Sequence, residues 1–101
     1  MEFGKSSYVT GFLERYSESI GKASVPEILA LFLIFVERHS EKGRFLEPAR
    51  NTANRFCELY KEQIEKYDLP VVILAFYYFC GSATQFAVTE VFRKEDLLNK
   101  V

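Results

Sequence analysis

The sequence predicts an all-α fold, a four- to five-helix bundle made of two tandem helical hairpins in a single domain spanning residues 1–101. Three observations lead there. Apolar residues recur at helical spacing, with no stretch of strict two-residue alternation. Helix start and stop residues punctuate the chain at helix-sized intervals. And the chain repeats itself: residues 12–35 and 56–79 align without gaps at an offset of 44, with nine identities in 24 positions, where chance at ordinary residue frequencies gives roughly one or two.

The first element is a helix over about 6–21. Phe12, Tyr16 and Ile20 stand four apart and share one face, while Glu14, Glu18 and Lys22 share the opposite one. Its counterpart over about 48–67 carries Phe56, Tyr60 and Ile64 against Glu58, Glu62 and Lys66. In both, the acid precedes the base by four residues, the favourable order for a helix surface pair. Pro48 suits a first helical turn.

The second helix of each copy is apolar. Ser24, Pro26 and Glu27 form a capping-box start for a helix over about 25–41, which Gly43 is placed to end. Asp68 and Pro70 mark the start of the matching helix. The runs Ile28 to Val36 and Val71 to Cys80 are apolar on every face, as buried central helices are. Beyond them, Gly81, Ser82 and Gln85 either stop the last helix and cap a fifth one to about 98, or mark a kink in one long helix. The continuous, kinked form is the expectation.

Composition narrows the function. The net charge of −1 creates no global attraction to nucleic acid or membrane. Ten Phe and six Tyr without a Trp promise a core and interfaces dominated by aromatic rings. Cys57 and Cys80 lie in apolar stretches and are expected to be reduced and packed in a cytoplasmic protein. No signal-peptide pattern opens the chain. His39 is the one histidine, and neither it nor the cysteines have partners at metal-ligand spacing. No glycine-rich phosphate loop or nucleophile–base pair is visible. The expectation is therefore a non-enzymatic protein, with no catalytic residues, metal or cofactor.

Two surfaces and one segment are candidates for function. The last apolar helix carries Phe76, Tyr77 and Tyr78, with Phe86 beyond. A small bundle can hide only part of a helix that is apolar all round, and aromatic surface left over from folding marks interfaces. These four residues are the expected interface, joining a second copy as a homodimer or binding a protein partner. The alternative is a nucleic-acid-binding accessory subunit using Arg38, Lys42, Arg44, Arg50 and Arg55, the most cationic part of the chain. A third reading uses residues 69–89, a run of 21 without charge, as a membrane anchor. Its polar second half makes that association the weakest of the three.

Overall fold

A computed structural model describes residues 5–39, 46–81 and 85–99, leaving out the side chains of 5, 6, 37–39, 46, 47, 85 and 99. The protein is an all-α bundle. Its elements are α1 (Lys5–Arg15), α2 (Ser17–Ile20), α3 (Val25–His39), α4 (Leu46–Leu59), α5 (Lys61–Lys66), α6 (Leu69–Gly81) and α7 (Gln85–Asn99). Lys42 and Arg44 lie outside the described residues, as does Gly43.

The two amphipathic helices predicted at 6–21 and 48–67 are each divided by a tyrosine. Tyr16 separates α1 from α2 at φ −114°, ψ 26°, and Tyr60 separates α4 from α5 at φ −121°, ψ 33°. The helical hydrogen bonds into and out of both residues persist. Tyr16 N–H donates to the Phe12 carbonyl at 3.0 Å and Ile20 N–H to the Tyr16 carbonyl at 2.9 Å. Tyr60 N–H donates to Phe56 at 2.9 Å and Ile64 N–H to Tyr60 at 3.0 Å. Each break is thus a local kink in a continuing helix. Neither site has a proline or glycine. What they share is a ring clamped between the phenylalanine one turn earlier and a phenylalanine of the following apolar helix.

The helix starts follow local chemistry. The Ser24 hydroxyl donates to the Glu27 carboxylate at 3.1 Å, and the Ser24 carbonyl accepts the Ile28 N–H at 3.0 Å. Tyr67, at φ −104° and ψ 156°, turns the chain from α5 into α6. The Asp68 carbonyl then accepts N–H groups from both Val71 and Val72, at 3.0 and 3.1 Å. Pro26 and Pro70 each occupy the second helical position, where a missing N–H costs nothing.

The core is a continuous apolar cluster drawn from every long helix. Its largest fully buried side chains are Phe12, Phe32, Phe56, Phe76, Leu29, Ile73, Val72 and Val88. Among the described residues no polar or charged side chain is buried. The tightest backbone packing does not fall within the two repeated segments. It lies between α3 and α4 and between α6 and α7, with α1 across α6. Side-chain size explains this. Ala30 of α3 and Ala49 and Ala53 of α4 are buried, and small residues let helix axes approach. Between α1 and α3, and between α4 and α6, phenylalanine rings occupy the gap and hold the backbones apart.

The end of the chain differs from the expectation. Instead of running on through Gly81, helix α6 stops there and α7 returns along it. Tyr67 meets Asp96 at one end, and Tyr78 and Phe86 line a common groove at the other, so the pair is antiparallel. The physical reason is visible in α7. Val88 and Phe92, one turn apart, are buried, and only a reversed chain brings that apolar stripe back onto the core. The charge-free run 69–89 is consequently shared between two helices. Among the described residues no helix is long and apolar enough to cross a membrane.

Candidate functional site

The reversal of α7 creates a groove against α6 with a volume of about 530 Å³. Val71, Leu74 and Tyr78 of α6 form one wall, and Phe86, Val91 and Leu98 of α7 the other. Glu90, Lys94 and Glu95 add charge along the α7 side. Phe86 is 72% exposed and Leu98 69% exposed. Among the described residues four large apolar side chains are exposed, and three of them, Phe86, Leu97 and Leu98, are on α7. Exposed apolar side chains scattered singly are ordinary, whereas a cluster beside an apolar groove is the signature of a binding surface.

The four aromatic residues expected at the interface separate. Tyr78 and Phe86 both line the groove. Phe76 does not belong to it: its ring is fully buried, 5.3 Å from Phe56 and packed on Phe79 at 6.4 Å. Tyr77 is turned toward α1 and α3, with its ring edge-on to Tyr8 at 5.9 Å and Phe32 at 5.3 Å. Successive residues on a helix differ by about 100° in direction. That is how Tyr77 closes the core while Tyr78 faces the groove.

A second, shallower groove of about 360 Å³ sits on the other flank of α7. Its floor is aromatic: Tyr67 stacks on Phe92 with centroids 4.9 Å apart and planes 29° apart, and Tyr60 lies 6.2 Å from Phe92. The Tyr67 hydroxyl donates to Asp96 at 2.6 Å, and that hydrogen bond holds the phenol above its ordinary titration range. Lys66 stands 3.9 Å from the same carboxylate and 5.2 Å from the centre of the Tyr67 ring. These contacts fasten α7 to the α5–α6 corner. On α7 itself the Arg93 guanidinium donates twice to Glu90. The pair keeps the Glu90 carboxyl below, and Arg93 above, its usual range.

The cationic residues do not form one described surface. Arg50 and Arg55 are both exposed on α4, but five positions apart they project about 140° from each other. Arg50 instead shares a shallow depression with Ser24, Pro26, Glu27 and Asn54. Arg38 lies in α3, and its side chain is outside the described ones.

Cys57 is half-buried, and burial pushes its thiol above the usual range. Cys80 is exposed near the end of α6 rather than packed inside, and no disulfide joins the two. Among the described residues no group of three His, Cys, Asp or Glu is placed to hold a metal ion. No family model, curated protein or solved structure matches the chain.

Of the residues that matter for this surface, Leu98, Val71 and Leu74 were missed from sequence. The signal for Leu98 was present: it stands twelve residues, or three four-residue steps, after Phe86 on a helix whose buried stripe is a different one. Reading it required knowing that α7 is a separate helix.

Proposed function

We propose that this protein is a non-enzymatic helical interaction module that binds another protein surface through the α6–α7 groove. The observation that carries the reading is the exposure of Phe86 and Leu98 over a groove walled by Val71, Leu74, Tyr78 and Val91. Covering such side chains on association gains roughly 25 cal/mol for each Å² of apolar surface removed from water. Aromatic anchors in desolvated pockets supply most of the energy of typical protein interfaces. The charged residues among the groove's lining, Glu90, Lys94 and Glu95, offer polar pairing to a complementary surface.

The test is a photo-crosslinking residue placed at Phe86, with the same residue at exposed Arg55 on α4 as the control. Crosslinking to protein from position 86, lost when Leu98→Ser is added and absent from position 55, is the expected result. A chain that stays monomeric near 11.7 kDa in sedimentation and crosslinks to nothing from position 86 overturns the reading.

A further inference from the structure

We propose that the protein surface seated on this groove is a second copy of the same chain, docked with the two α7 helices antiparallel about a two-fold axis. The proposal rests on the groove reading above and adds the partner and the register.

The argument is the order of side chains along one ridge of α7. Phe86, Glu90, Lys94 and Leu98 are spaced by four and all line the groove. Read in chain order, the ridge is apolar, acidic, basic, apolar. In an isologous two-fold contact, residue i meets j and j meets i. Two antiparallel copies of this ridge, centred at the level of residue 92, place Phe86 opposite Leu98 of the partner subunit and Glu90 opposite Lys94 of the partner subunit. Both pairings then occur twice, so the apolar ends cover each other and the central charges alternate in sign. A parallel two-fold arrangement sets Glu90 against Glu90 and Lys94 against Lys94, which is repulsive. The ridge is thus complementary to itself in one orientation only.

Four features of the monomer favour this docking. Phe92, at the centre, points into the core and leaves the outer face to the ridge. Arg93 already holds the Glu90 carboxylate through two hydrogen bonds, so less side-chain freedom is lost when a lysine arrives opposite it. Lys94 is exposed one turn after Glu90 on the same side of the groove, close enough to attract that carboxylate within one chain and, across the two-fold, the partner's. Behind each Leu98, the Val71 and Leu74 wall extends the apolar surface that the partner's Phe86 covers.

Charge reversal with analytical ultracentrifugation tests the register. The parent chain is expected to sediment as a dimer of its 11.7 kDa mass at high concentration. Glu90→Lys and Lys94→Glu each set like charges opposite one another twice, and each weakens the dimer roughly tenfold. The Glu90→Lys/Lys94→Glu double variant recovers parent-like affinity, and an equimolar mixture of the two single variants forms a heterodimer in preference to either homodimer. Phe86→Ser weakens association about a hundredfold or more with unchanged helical circular dichroism, because Phe86 is outside the core. A parent chain that is monomeric at every concentration overturns the self-pairing. If crosslinking from position 86 still captures another protein, the groove reading survives that result. A dimer insensitive to the charge reversals overturns the register, and one also insensitive to Phe86→Ser removes the groove reading with it.

Discussion

The two segments that repeat in sequence build the same aromatic cluster twice. In the first, Phe12 meets Tyr16 at 5.2 Å and 36°, Phe32 at 5.3 Å and 82°, and Phe35 at 5.7 Å and 56°. In the second, Phe56 meets Tyr60 at 5.0 Å and 35°, Phe76 at 5.3 Å and 73°, and Phe79 at 5.3 Å and 61°. The surroundings differ. The first cluster has Ala23 where the second has Tyr67, and among the described residues no helix is placed over Tyr16 as α7 is over Tyr60. Tyr16 accordingly remains half-buried, while Tyr60 is 9% exposed and reaches Phe92. Ring geometry is therefore a local property of the four-residue spacing and the facing helix. Burial, and with it the cost of disturbing a ring, is decided by what lies beyond the cluster.

The most severe way to break this comparison is to empty both clusters. Phe12→Ala and Phe56→Ala are each expected to cost about 3–5 kcal/mol, since both rings are fully buried. Urea denaturation checks this, and a difference much beyond about 1 kcal/mol would show that the clusters are not energetically equivalent. The tyrosines sharpen the contrast. Tyr60→Ala is expected to destabilise more than Tyr16→Ala by about 1 kcal/mol, the worth of one further aromatic contact; equal losses would mean that α7 adds nothing at Tyr60.

Tyr67 isolates the part of the second segment that has no counterpart. Tyr67→Phe removes the hydroxyl that bonds Asp96 and is expected to cost about 0.5–1 kcal/mol. That hydrogen bond raises the phenol's titration in the folded protein above its ordinary value near pH 10. The contribution is therefore complete below about pH 10 and is lost as pH rises through the higher folded value. Unfolding midpoints followed into alkaline solution should converge for parent and variant; a constant gap would place the effect elsewhere. The smallest effect concerns the helix starts. Ser24→Ala is expected to lower stability by about 0.5 kcal/mol through loss of the exposed Ser24–Glu27 hydrogen bond at the start of α3. Thermal unfolding resolves a change of that size.

Much of this was legible in the residues. The helix starts at Ser24 and Asp68, the apolar character of α3 and α6 and the paired inner stripes all follow from short-range spacing. Tyr78 and Phe86 were named together from the sequence as interface candidates, and both line the α6–α7 groove. The kinks at Tyr16 and Tyr60 were not legible, because each sits inside an unbroken amphipathic pattern and arises from a ring held by another helix. The inward positions of Phe76 and Tyr77 were hidden for a related reason. A helix apolar on every face carries no internal mark of which side meets the core.

By itself, then, the sequence determined the helical segments, the starts of α3 and α6 and the recurrence of one ring arrangement, all of which depend largely on short-range spacing. Tertiary structure alone decided three things: that α3 packs closest to α4, that α7 folds back along α6, and that Phe86, Glu90, Lys94 and Leu98 form an outward ridge. The reason is the same in each case. Backbones approach where alanines allow it, and α7 turns back because Val88 and Phe92 need the core. The ridge is exposed because it is the side of α7 that this burial leaves outside.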